Sequence, residues 1–560
     1  MPEGAVVADT DPGSENPPVT LARPGAPAAA QASSAAQAPP AVPTDSRHPW
    51  ISWLVIALPT AVALVVGGYE IGSPSLWRDE AYTKDAIGRS LGQLFAMLAN
   101  QDAVHGAYYV LMHTLTPVIG TSATALRFPS LIAMAIAAAF TAAIGRRAAA
   151  IAMQPAKIQP GPAWLDVPAL TGLLSGLLFA IAPYMTFYAQ MARSYAIETM
   201  FATIATYLLL QAAQDGRWRW WSAYGAALAL TGLFNMFGVL ILAAHAVTLL
   251  IAPRKGRGPI PLRWLAVSAA AVAVLVPLLV VMAGQQEQIS WLSRPNGKAI
   301  QRLLDTLAGT HALVVPFGLL ILAGIVAACL ADHWRPLNPV AVALPWLVVP
   351  PVLLIAASQV KPVYYIRYVE FCLPAVAIAV AAGLTGLAQL ATLAPLRNAR
   401  LTWLPPALAA VITLALAVTL VGPQRTIRRT SARPDNLRGA SAVVAANEQP
   451  GDIVFYIPMD MQVLGTGYPA PFRRLRNIAL AQSATQSATL TGLEVTSPAT
   501  LKSRFTDVRR VWVVTGSSNY KFPVPATPVD REKMTLLAQA GLHILHRWQE
   551  GEVMLTLYGP

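Results

Sequence analysis

Charged residues are scarce in this chain of 560 residues: only 12% are Asp, Glu, Lys or Arg, whereas 55% are hydrophobic. Soluble proteins carry about 25% charged residues, so the composition excludes one large soluble core. Apolar runs of about 18–22 residues recur along the sequence, which is the length of a helix that crosses a bilayer. The chain is therefore predicted to be a polytopic α-helical membrane protein.

Cysteine is almost absent, since Cys329 and Cys372 are the two in the sequence and both lie in apolar runs. No CxxC or other metal-type spacing occurs, so neither a disulfide framework nor a cysteine–metal site is expected. The sequence also lacks a phosphate-binding glycine motif and an internal repeat of about 20–50 residues. Residues 1–48 lack the charged region of a secretory signal, and the first apolar run begins too late to be a cleaved one.

The apolar runs predict about eleven membrane helices and three domains. Residues 1–48, rich in Ala, Pro, Ser and Gly, predict a disordered cytoplasmic tail. Residues 49–422 form the transmembrane domain, and 423–560 form a soluble α/β domain on the extracytoplasmic side. The candidate spans are 50–69, 124–145, 167–183, 191–213, 219–233, 236–252, 262–282, 312–331, 339–357, 369–392 and 403–422.

The formal charge of +13 comes mostly from short loops between the apolar runs, which indicates topology and not nucleic-acid binding. Those loops fall on one side of the membrane, which the positive-inside rule makes cytoplasmic. Their basic residues are Arg146, Arg147, Lys157, Arg217, Arg219, Arg254, Lys255, Arg257, Arg263, Arg335, Arg397 and Arg400. This sidedness requires residues 70–123 to be one long outer loop, with interfacial helices near 85–99 and 106–119, because the apolar stretch at 106–119 is too short to span.

The segment 423–560 alternates helical and strand patterns, which is typical of a small α/β domain. Helices are predicted near 437–447, 499–506 and 530–541. Strands are predicted at 453–457, near 476–481 and at 511–515, and a terminal hairpin runs through Leu555.

An adjacent carboxylate pair, Asp79 and Glu80, follows the first span beside Trp77 and Tyr82. Aromatic residues mark the membrane–water boundary, so these acids can meet both a lipid headgroup and water. The alternative interpretation is that both acids only cap a helix that begins near Ala81, because acids favour a helix N-terminus.

Further ionisable residues lie near the outer ends of spans, where they are costly and hence candidates for function. Arg193 can bind a ligand or pair with Glu198, and Lys361 and Arg367 can bind a ligand or extend to the interface. The whole set is His105, Arg193, Tyr195, Glu198, Lys361, Tyr365 and Arg367. Arg and Lys bind phosphate, and a carboxylate can activate a hydroxyl. Together they are suited to displacing a sugar from a lipid phosphate.

Five stretches, in this order, resemble the polyprenol-phosphate-sugar-dependent glycosyltransferases of the GT-C fold. That family includes bacterial protein O-mannosyltransferases, lipid A aminoarabinose transferases and actinobacterial mannosyltransferase-like proteins. The stretches are Trp-Arg-Asp-Glu-Ala-Tyr-Thr (77–83), His-Gly-Ala-Tyr-Tyr-Val-Leu-Met-His (105–113) with Ala-Leu-Arg-Phe-Pro-Ser (125–130), Tyr-Ala-Gln-Met-Ala-Arg-Ser-Tyr-Ala (188–196), Tyr-Ile-Arg-Tyr (365–368) with Pro374, and Asp-Asn-Leu-Arg-Gly-Ala (435–440) with Pro-Gly-Asp (450–452). The resemblance covers about residues 50–460.

The resemblance implies transfer of a sugar from a polyprenyl-phosphate donor to a glycan, protein or lipid of the cell envelope, by in-line displacement with inversion. Asp79 would be the general base, and Glu80 would orient the acceptor or hold a divalent metal ion with His105. The residues implied to bind the leaving phosphate are Arg193, Lys361, Tyr365 and Arg367, and those implied to contact substrate or metal are Tyr195 and Glu198.

The sequence departs from the family pattern at two places near the expected donor site. Where the family has two prolines after the histidine, this chain has Gly106 and Ala107. Where the family has an acid before the arginine that corresponds to Arg193, this chain has Met191. The second departure removes a carboxylate unless Glu198 replaces it. Two other functions stay open: a transporter or flippase of lipid-linked saccharides, and a catalytically inactive relative.

Overall fold

The computed structural model describes residues 49–153, 166–251, 260–330, 337–393, 404–516 and 527–560. These residues belong to one compact unit. The tail predicted over 1–48 and the basic loops around Lys157, Arg254, Arg335 and Arg397 lie outside the described residues.

Helices dominate the chain up to Thr426, and long outer connections separate some of them. In chain order they are α1 (Pro49–Gly68), α2 (Arg78–Ile87), α3 (Leu91–Asn100), α4 (Gly106–Ile119), α5 (Ala123–Ala152), α6 (Val167–Ile181), α7 (Pro183–Ala189), α8 (Tyr195–Asp215), α9 (Trp218–Phe234), α10 (Ile241–Ile251), α11 (Ile260–Ala283), α12 (Gly297–Ala308), α13 (Val314–Leu330), α14 (Pro339–Val360), α15 (Leu373–Leu393) and α16 (Leu404–Thr426).

In the described part of the chain, eight helices are long and apolar enough to cross a membrane, and α6 with α7 makes a ninth if that pair, bent by 61°, is one span. All eleven predicted segments are helical in the described part of the chain, and nine of them correspond to these long helices. The difference lies at 219–233 and 236–252, where α9 has 17 residues and α10 has 11. Asn235 interrupts the helix there, because its backbone is extended and its side chain accepts a hydrogen bond from the Phe237 amide. The sidedness predicted for the later loops is the same whether or not this pair of helices crosses the membrane. The chain is a multi-pass membrane protein.

Three helices fill the long connection between α1 and α5. The helix predicted near 85–99 is two helices, α2 and α3, because the chain turns at Gly88 and Ser90 caps α3 by accepting a hydrogen bond from the Gln93 amide. The helix predicted at 106–119 is confirmed as α4. The helix expected to begin near Ala81 begins three residues earlier, at Arg78, so both acids of the adjacent pair lie inside its first turn.

Beyond α16 the chain forms a small α/β domain. Its helices are α17 (Leu437–Asn447), α18 (Leu464–Gly467), α19 (Pro469–Phe472), α20 (Pro498–Arg504) and α21 (Pro528–Gln539). Its strands are β1 (Ile453–Ile457), β2 (Leu480–Gln482), β3 (Leu493–Glu494), β4 (Val511–Gly516), β5 (His543–Glu550) and β6 (Val553–Gly559). The predicted helices, the strands at 453–457 and 511–515 and the terminal hairpin are confirmed, whereas the strand expected near 476–481 lies at 480–482.

The main sheet has the order β1-β4-β6-β5, with β1 and β4 parallel and the other neighbours antiparallel. Every residue of β1 is buried, because its side chains point alternately into two cores on opposite faces of the sheet. Strands buried on both faces have continuous apolar sequences, and Ile-Val-Phe-Tyr-Ile fits that pattern. The core that contains Val454 and Tyr456 also contains Ala81, so α2 packs into the C-terminal domain.

Candidate functional site

Three consecutive charged residues, Arg78, Asp79 and Glu80, begin α2. Trp77 occupies the N-cap position, and its own side chain makes no capping hydrogen bond. Each charge instead pairs with a different part of the chain: Arg78 with Asp435, Asp79 with Arg367 and Glu80 with Arg127. The sequence brings these distant elements together at the first turn of one short helix.

The carboxylate of Asp79 forms an ion pair with Arg367, which lies between α14 and α15. Burial raises the pKa of Asp79, but the neighbouring arginine charges outweigh burial and hold this pKa below the usual carboxyl value. Arg367 contributes most to this lowering, followed by Arg193 and Arg78. Asp79 is therefore an ionised carboxylate next to a half-buried cation.

Aromatic rings surround the guanidinium of Arg367. Its central carbon lies 4.7 Å from the centre of the Tyr365 ring and 5.8 Å from that of Tyr195. Trp291, from the loop before α12, packs edge-on against Tyr365 with ring centres 5.3 Å apart. Cations over aromatic faces are stabilised by the ring quadrupole. The rings thus hold Arg367 in place beside Asp79.

Arg193 approaches the same helix turn from the connection between α7 and α8. Its Nη1 donates hydrogen bonds to the Tyr109 hydroxyl at 2.8 Å and to the Asp79 backbone carbonyl at 3.3 Å. The Tyr109 hydroxyl in turn donates a short hydrogen bond to Asp102. Asp102 has a left-handed backbone (φ 61°), which is uncommon for a residue other than glycine. This chain of contacts fixes the Arg193 guanidinium.

Both arginines keep an unused hydrogen-bond donor. The Nε atoms of Arg193 and Arg367 are buried and have no hydrogen-bond partner among the described residues. A buried donor without an acceptor costs about 1–3 kcal/mol. Two such donors on neighbouring cations are suited to an anion that accepts hydrogen bonds, such as a phosphate.

His105 is buried in the same cluster, on the short 3-10 turn Ala103–His105 before α4. Its Nδ1 lies 3.1 Å from the Ser194 hydroxyl, and its ring packs edge-on against Tyr195. Burial, followed by the charges of Arg193 and Arg367, holds the pKa of His105 well below its usual value. His105 is therefore a neutral imidazole at physiological pH.

Glu80 points away from this cluster and is completely buried. Its two oxygens accept hydrogen bonds from Nε and Nη2 of Arg127 at 2.8 and 2.7 Å, and one oxygen also accepts the Ala192 amide at 2.9 Å. Arg127 donates its other hydrogen bonds to the carbonyls of Ile71, Pro74 and Ser75. The pair joins α2, α5 and the loop before α8, and both Glu80 oxygens are occupied.

Glu198 does not pair with Arg193, contrary to the alternative interpretation of these residues. Its Oε2 accepts a hydrogen bond at 2.7 Å from Asn235, the residue that interrupts α9 and α10. Glu370 lies beside Glu198. Glu198 is completely buried.

Lys361 is exposed at the C-terminal end of α14, where its ammonium group donates a hydrogen bond to Gln286. Among the described residues it forms no hydrogen bond or ion pair with Asp79, Arg193 or Arg367. The structure thus brings together Asp79, Arg193, Tyr195, His105, Tyr365 and Arg367, and it places Lys361 at the surface.

The residues do not fit a divalent metal held by Glu80 and His105. Both oxygens of Glu80 are bound to Arg127 and the Ala192 amide, and His105 lies among cations. In the described ranges no three His, Cys, Asp or Glu side chains lie close enough to share a metal ion. We therefore assign no step to a metal.

Sequence analysis assigned no role to several residues that complete the cluster: Arg78, Asp102, Tyr109, Arg127 and Trp291. Arg127 carried a usable signal, because an arginine inside an apolar helix requires a buried partner. No signal in the sequence indicated that Arg78 pairs with Asp435, since 357 positions separate the two residues.

A family model described as dolichyl-phosphate-mannose-protein mannosyltransferase matches residues 167–281. No curated protein matches the chain. Among solved structures, ArnT from Cupriavidus metallidurans in the apo state has 14% sequence identity and a TM-score of 0.56, covering 91% of this chain and 98% of that one. ArnT from the same organism bound to undecaprenyl phosphate covers the same shares at 14% identity, with a TM-score of 0.53.

The archaeal oligosaccharyltransferase AglB from Archaeoglobus fulgidus, in complex with an inhibitory peptide and a dolichol-phosphate, has 11% identity and a TM-score of 0.47. It covers 83% of this chain and 70% of that one. The helical membrane domain, the C-terminal α/β domain, the family-model match and the ArnT likeness agree with one another. The chain therefore has the fold of the ArnT structures, a GT-C fold.

Proposed function

We propose that this protein transfers a sugar from a polyprenyl-phosphate-linked donor to a hydroxyl of a cell-envelope glycan, protein or lipid on the outer face of the membrane. The N-terminus is then cytoplasmic and the C-terminal domain extracytoplasmic. The observation that carries the proposal is the contact between an ionised carboxylate, Asp79, and a half-buried arginine, Arg367, whose buried Nε has no hydrogen-bond partner among the described residues. The ArnT structure with undecaprenyl phosphate supports the class of donor.

Asp79 acts as the general base in this proposal. The acceptor oxygen attacks the anomeric carbon while Asp79 takes the hydroxyl proton, and the bond from that carbon to the phosphate oxygen breaks. The product sugar has inverted configuration, and polyprenyl phosphate leaves with the electron pair. A positioned general base contributes about 10²–10⁴-fold to a rate, so Asp79→Asn should lower kcat by that order.

Arg367 and Arg193 bind the leaving phosphate in this proposal. A guanidinium has donors on more than one edge, so Arg367 can hold Asp79 through Nη1 and a phosphate oxygen through Nε. Fixed cations that face a developing charge stabilise the transition state. Tyr365 and Tyr195 keep Arg367 in position, and Lys361, at the surface, attracts the donor phosphate as it arrives.

His105 and Glu198 have supporting roles in this proposal. A neutral His105 can accept one hydrogen bond from the sugar donor, or donate one to it, through the ring nitrogen that does not face Ser194. Glu198 fixes the outer end of α8, which carries Tyr195, through its bond to Asn235. Glu80 orients Asp79 through Arg127 and does not contact the acceptor.

The test is sugar transfer in membranes that contain the full chain, with a panel of radiolabelled polyprenyl-phosphate sugars. Wild type should consume one donor and Asp79→Asn should not. The matched control is Asp305→Asn, since Asp305 is an acid of α12 that pairs only with exposed His311 among the described residues. Equal consumption by wild type and Asp79→Asn would overturn the proposal, and movement of intact lipid-linked sugar across the membrane would identify a transporter.

A further inference from the structure

The C-terminal domain contacts the helix that carries Asp79. Asp435, at the start of this domain, is completely buried and accepts three hydrogen bonds from Arg78. The donors are the Arg78 backbone amide at 3.1 Å, Nε at 3.2 Å and Nη2 at 2.9 Å. Arg78 is the first residue of α2 and directly precedes Asp79. The carboxylate of Asp435 therefore binds both the side chain and the backbone at the N-terminus of α2.

Hydrogen bonds of the neighbouring residues fix the position of Asp435. The neighbouring Asn436 donates its backbone amide to the Glu550 carbonyl and its side-chain amide to the Glu550 carboxylate at 2.6 Å. The Glu552 amide donates to the Pro434 carbonyl at 2.7 Å. These bonds attach Asp435 to the turn between β5 and β6, so the central sheet of the C-terminal domain fixes its position.

Further contacts make α2 part of the C-terminal domain on one side. Ala81 lies in the core of that domain. Lys84 donates to the Gly467 carbonyl at 2.7 Å, and the Thr466 hydroxyl donates to the Ala81 carbonyl at 3.3 Å. On its other side α2 carries Asp79. The orientation of Asp79 therefore depends on the C-terminal domain as well as on the membrane helices.

We propose that Asp435 is a positioning residue of the active site, which through Arg78 holds Asp79 in the orientation needed to accept the acceptor proton. This inference rests on the proposed function and assigns the C-terminal domain a part in the chemical step. Arg78 also contributes positive charge to the surroundings of Asp79. Loss of Asp435 should then change both the geometry and the ionisation of Asp79, whereas a purely structural acid would change neither.

The experiment compares kcat, the donor KM and the pH dependence of kcat for wild type, Asp435→Asn, Arg78→Met and the double variant, each normalised to folded protein. Misplacing a reacting group can lower a rate on the order of 10²-fold, so we expect Asp435→Asn to lower kcat by about 10–100-fold with little change in KM. The double variant should lose no more than the worse single variant, because the two residues act as one unit. The acid limb of the kcat profile should move to higher pH in Arg78→Met.

The matched control is Asp452→Asn. Asp452 is another buried acid of the C-terminal domain, and it binds Trp512 and Arg510 and not the outer loop. Its kcat per folded protein and its pH profile should equal those of wild type. The positioning role would be overturned if Asp435→Asn had the kcat and pH profile of wild type, or if Asp452→Asn lost as much kcat as Asp435→Asn. In either case, sugar transfer by wild type would still support the proposed function. If wild type transferred no sugar, both the positioning role and the proposed function would be contradicted.

Discussion

Asp79 and Arg367 are 288 positions apart in the chain, yet their half-buried side chains form an ion pair. The pair joins the group proposed to accept a proton with a group proposed to bind the leaving phosphate. A donor phosphate that takes hydrogen bonds from Arg367 weakens its hold on Asp79. Donor binding should therefore make Asp79 a stronger base at the moment it is needed.

Removing the charge of Arg367 should change the pH dependence of catalysis. Arg367 is the largest of the charges that lower the pKa of Asp79, so Arg367→Gln should raise that pKa. Because the base must be ionised, the acid limb of the profile should move to higher pH. The measurement is kcat/KM against pH from 3 to 8, with Asp305→Asn as the control. An unchanged acid limb would show that Asp79 is not the titrating base.

Tyr109 should matter for donor binding through Arg193. Its hydroxyl accepts a hydrogen bond from Arg193 and donates one to Asp102. Tyr109→Phe removes both bonds, and a hydrogen bond to a charged group contributes about 1.5–3 kcal/mol, so the donor KM should rise about tenfold or more. Steady-state kinetics with the preferred donor measure this. The control is Tyr558→Phe, in β6 of the C-terminal domain, and a Tyr109→Phe enzyme with wild-type KM would contradict the role given to Arg193.

The three cations proposed to bind the donor phosphate should contribute differently to donor binding. Arg193 is buried and Arg367 is half-buried beside Asp79. Lys361 is exposed, where screened ion pairs contribute about 0–1 kcal/mol. Because such a contribution is small, Lys361→Gln should raise the KM for the sugar donor by less than about fivefold. Arg193→Gln should have a much larger effect. Equal effects of the two substitutions would show that the phosphate lies nearer the surface than we propose.

Glu80 should affect stability more than the chemical step. Breaking a buried ion pair by removing one partner costs about 3–5 kcal/mol, so Glu80→Ala should lower the free energy of unfolding by that order. Thermal unfolding in detergent measures the loss. Replacing both partners, as in Glu80→Leu with Arg127→Met, should recover part of it. A Glu80→Ala protein of wild-type stability that transfers no sugar would instead place Glu80 at the acceptor.

Sequence patterns predicted the fold well where one physical rule dominates. Bilayer length gave most of the long helices, and the short apolar runs around Ile453 and Val511 gave the buried strands. At 219–252 the two predicted segments form shorter helices of 17 and 11 residues, because Asn235 separates them.

The site was predictable in its residue types but not in its pairings. A cation near a span end and an acid in an outer loop are visible in the sequence, which is how Asp79, Arg193 and Arg367 were found. Which of two adjacent acids faces the site depends on helix phase, and this helix begins three residues before the expected start. The pairing of Arg78 with Asp435 depends on docking of a distant domain, which no local pattern encodes.

The most direct test measures binding and transfer separately in two variants. The dissociation constant for polyprenyl phosphate and the single-turnover rate of sugar transfer are determined for wild type, Asp79→Asn and Arg367→Gln. We predict that Asp79→Asn binds polyprenyl phosphate at least as tightly as wild type, because Arg367 is released, and transfers no sugar, while Arg367→Gln loses binding. Transfer by Asp79→Asn at the wild-type rate would contradict the account.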